Sequence, residues 1–451
     1  MSLNIVLIGL GQVGMHLAKV LSQENHDIVG VEINPPQCRN ADDCLDIKVL
    51  QGCGTDHAVL EAAGIAEADM MIAVTGNDEQ NVLACGMAAR YGVKQKIARI
   101  RNAAFFDNPP LFRLSDWGVD VAIQPEVETA KEIVLLIKRG AASDVLEFAD
   151  KRIQVLGIRI DATCPIKHQT LEKVSRDFPD KVFRTVAILR NNKTLIPGGS
   201  DLYLPRDQVF IIAAAEDIPD VIELMGKSDE KLNKIMILGG GRVGRKTARF
   251  LEQEGDLSIK LIESDPDQAQ ILADELKRTL VIQGDGRDFN LLATEDILEM
   301  DALISATNDE ETNILTSLLA KHLGVTKTIA LVNRREYLPL MAPIGVNAAI
   351  NTNLITSNTI LRLIRRGDVV SLANLSGVDA QVVEYLAHKE SRIVRKPLSK
   401  ISFPDGAIVG AVTRDDSVFI PVGDTRIEPG DHVVIFSLPQ SLQDVDKLFS
   451  S

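Results

Sequence analysis

Asn4-Ile-Val-Leu-Ile-Gly-Leu-Gly-Gln-Val-Gly14 decides the fold, together with a near copy, Lys234-Ile-Met-Ile-Leu-Gly-Gly-Gly-Arg-Val-Gly244. In each, an apolar run of strand length (Ile5–Ile8, Ile235–Leu238) leads into Gly-x-Gly-x-x-Gly and then into a helical pattern. The first glycine permits the sharp turn, the second lets a pyrophosphate approach the backbone, and the third lets helix pack on strand. The helix N-terminus adds oriented N–H donors and about half a positive charge. We therefore read Gly9, Leu10, Gly11, Gln12, Val13 and Gly14, and likewise Gly239, Gly240, Gly241, Arg242, Val243 and Gly244, as two nucleotide-binding turns.

The copies extend well beyond the turns, at an offset of about 230. Gly52-Cys-Gly-Thr-Asp56 matches Gly284-Asp-Gly-Arg-Asp288, and Val74-Thr-Gly-Asn-Asp-Glu-Gln-Asn81 matches Ala306-Thr-Asn-Asp-Glu-Glu-Thr-Asn313. A weaker echo follows each copy: Leu195–Gly199 with Pro205-x-Asp207, and Phe419–Gly423 with Pro429-x-Asp431. The chain is thus A-B-A′-B′, with expected domains at 1–140, 141–232, 233–367 and 368–451.

In the A units, short aliphatic runs alternate with helical segments, which predicts α/β architecture: two Rossmann-like doubly wound parallel sheets. The first should have strands near 3–8, 27–32, 47–51, 69–74, 96–100 and 119–123, and helices near 12–24, 56–63, 78–91 and 125–139. Phe105–Ser115, broken by Pro109-Pro110, reads as a crossover, and the second unit should end in a helix near 353–366. Each A unit closes on a basic helix end followed by glycine, at Gly140 and Gly367, which we read as hinges. The B units are shorter and rich in β-branched strands (Val182–Leu189, Val209–Ala213; Ile408–Thr413, His432–Phe436), an α+β pattern.

The ligand can be narrowed further. Glu32 and Glu263 end the second strands, where a carboxylate accepts from a ribose hydroxyl and repels a 2′-phosphate, favouring NAD or another adenine nucleotide over NADP. At the third-strand turn, Asp285 could accept from an adenine amino group, whereas the first copy carries Cys53, read as a buried free thiol with His57 nearby. Thr75, Gly76 and Thr307 lie on the C-terminal rim of the sheets, and Arg99 is read as an exposed rim cation able to reach a phosphate. The second copy has Leu331 in place of Arg99, so either one site demands an anion more than the other, or Arg242 takes over the role and lets the second site accept ADP or ATP as well.

Composition excludes several classes. The 451 residues are 45% hydrophobic, 25% charged and only 4% aromatic, which gives aliphatic cores and no platform for stacking bases. A net charge of −14 repels phosphate backbones, so nucleic acid is not an expected partner, and a bound anion must be held locally. The five cysteines (Cys38, Cys44, Cys53, Cys85, Cys164) form no C-x-x-C pair, which fits free thiols in a reducing compartment. Neither a secretory leader nor a membrane-spanning segment is expected.

The A-B-A′-B′ plan, the two glycine turns, the post-strand acids and the segment Ala98-Arg-Ile-Arg-Asn102 resemble the potassium-transport regulatory domains called RCK or KTN, with Cys53 departing from the usual Gly-Asp turn. The resemblance spans nearly the whole chain. It implies NAD or NADH binding, a homotetrameric ring, and docking on the cytoplasmic face of a membrane potassium-translocating subunit of the TrkH type. It also implies a regulator rather than an enzyme. The residues agree to this extent: no Ser-His-Asp arrangement, metal cluster or substrate-activating histidine can be placed beside a nicotinamide. Nucleotide would then act by shifting the angle at Gly140 and Gly367. The alternatives are an NAD-dependent oxidoreductase or a nucleotide-sensing regulator of another ion transporter.

Overall fold

A computed structural model describes residues 2–106, 113–191, 193–227, 231–364, 369–374, 378, 380–415 and 417–450. It divides into two compact units, one made of residues 1–128 with Thr352–Ile364, the other of the remainder.

The first unit carries six parallel strands, β1 (Asn4–Ile8), β2 (Asp27–Glu32), β3 (Lys48–Gln51), β4 (Met70–Ala73), β5 (Gln95–Arg99) and β6 (Val121–Ile123), in the order β3-β2-β1-β4-β5-β6. The order reverses between β1 and β4, and that switch point opens a crevice at the strands' C-terminal ends. The helices are α1 (Gln12–Gln23), α2 (Pro35–Cys44), α3 (His57–Ala62), α4 (Asp78–Arg90) and the opening turn of α5 (Pro125–Lys138). Helix α2 is absent from the sequence reading. Its two prolines look like a break, but they occupy the first helical positions, where an N–H has no helical partner to lose, and only Cys38 and Ala41 are buried. The proline pair at 109–110 lies outside the described residues.

The second unit repeats the sheet with β12 (Lys234–Leu238), β13 (Ser258–Glu263), β14 (Thr279–Gln283), β15 (Ala302–Ser305), β16 (Lys327–Leu331) and β17 (Ala348–Ile350), in the order β14-β13-β12-β15-β16-β17. Around it run α8 (Arg242–Leu251), α9 (Pro266–Glu275), α10 (Phe289–Thr294), α11 (Glu310–His322) and α12 (Leu338–Ile344). Crossover helices are exchanged: α5 from Thr129 onward belongs to the second unit, and α13 (Thr352–Ile364) to the first, against α1 and β6. Buried Ile133, Leu136 and Ile137 seat α5, and Lys138 at its end pairs with Glu254 at 2.6 Å. The Gly140 turn is tied down, because the ammonium of buried Lys327 donates to the Gly140 carbonyl at 3.2 Å and also to that of Ala142. That anchoring weighs against a free hinge at Gly140, and Gly367 lies outside the described residues.

Both B sheets have five antiparallel strands and one topology. The first holds β7 (Asp144–Phe148), β8 (Ile153–Arg159), β9 (Phe183–Arg190), β10 (Lys193–Leu195) and β11 (Gln208–Ala214), with α6 (Leu171–Asp177) and α7 (Ile218–Leu224). The other holds β18 (Val369–Asn374), β19 (Gln381–Leu386), β20 (Ala407–Arg414), β21 (Ser417–Phe419) and β22 (His432–Ser437), with α14 (Leu442–Phe449). One core joins them, with Val155, Phe210 and Ile212 from the first sheet and Val382, Val434 and Phe436 from the second. The paired Asp207 and Asp431 explain the weak echo: each is buried and bound by an arginine, Arg190 Nε at 2.9 Å and Arg414 Nε at 2.8 Å. These bonds hold both guanidinium groups above their usual range.

Candidate nucleotide-binding sites

Each glycine turn is built by close approach. Gly9 has φ +95°, and a Cβ on Gly14 would stand 1.9 Å from the Gly9 carbonyl oxygen. Gly239 also has φ +95°, with the same 1.9 Å at Gly244. The middle glycines differ: a Cβ on Gly11 or Gly241 would meet nothing within 4 Å, so each faces open space. Gly11 and Gly241 are also the N-caps of α1 and α8, and neither helix has a side-chain cap. A helix N-terminus of this kind offers oriented N–H donors that suit an anion.

The post-strand acids turn out to clamp these turns. Glu32 is buried. Its Oε2 accepts from the Leu10 N–H at 2.7 Å and its Oε1 from the Asn34 N–H at 2.9 Å. Glu263 repeats this with the N–H groups of Gly240 at 2.7 Å and Asp265 at 2.9 Å. A carboxylate has about four acceptor positions, so a ribose hydroxyl remains compatible with both bonds.

On the opposite wall, the Thr75 N–H and hydroxyl both donate to Asn81 Oδ1, at 3.0 and 2.7 Å, while Asn81 Nδ2 donates to the Arg99 carbonyl at 2.8 Å. Thr307, Asn313 and the Leu331 carbonyl reproduce the arrangement at 2.9, 2.7 and 2.9 Å. Leu331 thus keeps the backbone role of Arg99 without its charge. Asn81 and Asn313 were quoted in the repeat but not singled out as site residues; their recurrence six positions after each threonine is the signal that marks them.

In the first unit these walls enclose a cavity of about 440 Å³. Gly9, Gly11, Gln12, Val13, Glu32, Thr75, Gly76 and Arg99 line it, and Arg99 is buried rather than exposed, because the strand end that carries it is covered on both faces. Leu10 and Gly14 stand behind it: Leu10 is buried against Gly30, and Gly14 packs on the Gly9 carbonyl. Cys53 lines it too, partly exposed with its Sγ 3.1 Å from Thr55 Oγ1, which corrects the expectation of a buried thiol. The third-strand turn opens onto the rim, so its side chain reaches the crevice. His57 is engaged with the Tyr91 hydroxyl and lies 3.4 Å from Glu61. Gln37, Gln80 and Asn353 also line it and were missed. For Asn353 no local signal exists, since it comes from α13, 341 positions beyond Gln12.

In the second unit, Asp285 is committed to Arg287, with Nη2–Oδ2 at 2.7 Å and Nε–Oδ1 at 3.0 Å. That guanidinium brings the Asp285 carboxyl down to about 2. An adenine contact would have to share it. Arg242 opens α8, and Val243 and Gly244 are buried behind the turn. No cluster of metal-ligating side chains and no helix long and apolar enough to cross a membrane occur among the described residues.

Residues 5–125 and 235–352 match the TrkA-N domain, and 382–450 match the TrkA-C domain. The chain belongs to the TrkA family. Among its relatives, Trk system potassium uptake protein TrkA homolog 2 of Methanosarcina mazei is 35% identical, over 99% of this chain and all of the relative. The TrkA protein of Halomonas elongata is 34% identical over 99% of this chain and 98% of its own length. In fold, this TrkA-family chain is similar along its whole length to a GsuK channel bound to NAD, with a TM-score of 0.60, 17% identity and 79% of that chain covered. The isolated GsuK RCK domain gives 0.59 at 17% identity, over all of this chain and 95% of that one.

Proposed function

We propose that this TrkA-family chain is the nucleotide-binding regulatory subunit of a potassium uptake system, taking NAD or NADH in its first A unit. The observation that carries the reading is the 440 Å³ cavity, where uncapped α1, Glu32, Thr75 and Arg99 meet at the sheet's switch point. A pyrophosphate would lie on Gly9–Gly14, its charge met by the α1 N–H groups and Arg99, with Glu32 beside the ribose. The second turn would take an adenine nucleotide, ADP or ATP included, with Arg242 as the cation. A GsuK channel has been solved with ADP as well as with NAD, and the family's potassium transport supports the same use here.

The TrkA-family chain would act as a homotetrameric ring at the cytoplasmic face of the membrane, docked on a TrkH-like potassium-translocating subunit and organised as 1–140, 141–232, 233–367 and 368–451. Regulation requires that nucleotide bind the conducting and resting arrangements with different affinity. Calorimetry with NAD, NADH, ADP and ATP tests the binding. Two binding events are expected, and Glu32→Ala should weaken the first by at least ten-fold, since it removes both the clamp on Leu10 and the ribose acceptor. An unchanged affinity would refute the site. Potassium flux through the reconstituted uptake system, with and without nucleotide, tests the regulation.

A further inference from the structure

The wall of the first cavity is not drawn from the first repeat alone. Asn353, the second residue of α13, lines it, and its Nδ2 donates to Gln12 Oε1 at 2.5 Å. Gln12 is the first residue of α1, at the point where its N–H groups attract an anion. This bond turns the Gln12 oxygen toward Asn353, and the NH2 on the other side of the carboxamide only donates. The pair therefore presents donor character to a phosphate.

Two residues earlier the chain is held differently. Asn351 is buried, and its Nδ2 donates to the carbonyls of Val332 at 2.9 Å and Asn333 at 2.8 Å, just past β16 of the second unit. The unit boundary falls between Asn351 and Thr352. Thr352 is thus the single link between a residue fixed in the second unit and one that lines the first cavity. Beyond it, α13 is seated by buried Ile360, Leu361 and Ile364.

We propose that Asn353 is a phosphate-contacting residue of the first site, and that this contact makes the seating of α13 depend on site occupancy. The inference rests on the nucleotide reading given above. A ligand bonded to the Asn353–Gln12 pair binds the seated helix better than an unseated one, and so favours the seated state; by linkage, the seated helix raises affinity for the ligand by the same factor. The second repeat then senses the first site through its own covalent continuation. One partly exposed hydrogen bond to a charged group corresponds to an affinity change of about five-fold.

Hydrogen exchange on the full chain, titrated with NAD or with adenosine, tests this because peptides from the two glycine turns are read separately. NAD should protect residues 9–15 and the first two turns of α13. Asn353→Ala should raise the NAD concentration for half-protection of the 9–15 peptide about five-fold and remove the protection of α13. Asn353→Asp should weaken NAD further, by tens-fold at low salt and less at high salt, while leaving adenosine unaffected. An aspartate in a first helical turn favours the helix, so a melted α13 would not account for that result. Equal NAD titrations in the wild type and both variants would overturn the proposal. So would protection of 9–15 without protection of α13, a result that leaves the nucleotide site itself standing. If NAD does not protect 9–15 in the wild type, the nucleotide reading fails and this inference fails with it.

Discussion

Cys53 shows how one side chain can be placed correctly in sequence and wrongly in space. It occupies the position of Asp285, and both side chains make the same local contact two residues on, to Thr55 and to Arg287. Exposure separates the thiols: Cys44 is exposed and Cys53 partly so, while Cys38, Cys85 and Cys164 are buried. Burial pushes Cys85 up to about 12, so the reactive thiolate forms only as pH approaches that value. Iodoacetamide at pH 8 should therefore modify Cys44 and Cys53 and spare Cys85, with Cys85 labelling flat up to about pH 10. NAD should slow Cys53 labelling several-fold without changing Cys44, as followed by peptide mass spectrometry. Equal rates for Cys53 with and without nucleotide would place the ligand elsewhere. Glu32 was legible because its type and position both carry meaning. Its backbone clamp was not, because nothing in a sequence says which amide will face a carboxylate.

At the scale of the element, the glycine turns repeat to within 0.1 Å at their tightest point, the 1.9 Å approach behind Gly14 and Gly244. The obstructing atom is a backbone carbonyl, which cannot swing aside as a side chain could. Gly14→Ala should push α1 off β1, abolish binding at the first site and leave the second; Gly244→Ala should do the reverse. Calorimetric stoichiometry falling from two to one in each variant is the expected result, at a stability cost of ~1 to 3 kcal/mol. Strands β1 and β4 were legible because both faces are covered, which writes them as nearly unbroken apolar runs. Helix α2 was hidden for the opposite reason, since two small buried contacts leave almost no periodicity to read.

At the scale of the molecule, duplication was plain in the sequence, but what the duplicates do to each other was not. The two B sheets meet in one core, and each carries a bulge at the same point, Val186 in one and Gly410 in the other. A Cβ on Gly410 would lie 3.0 Å from Ile212 and 3.3 Å from Val186, so a knob on one copy fills a hole in its twin. Gly410→Val should overpack this core and lower stability by ~1 to 3 kcal/mol. Val186→Gly in the same chain should recover part of the loss, and first-site nucleotide affinity should be unchanged. Urea denaturation of the three variants measures it. Additive effects of the two changes would mean the side chains do not share a space.

The exchanged helices carry a consequence for heredity. A gene encoding only the first repeat would make a protein whose α1 has no α13 to cover it and whose own α5 reaches out with nothing to grip. Once the copies had traded those segments, neither could be deleted without orphaning the other. A lineage carrying this gene can retune the two halves separately, but shedding either one leaves a helix face that a second chain would have to cover.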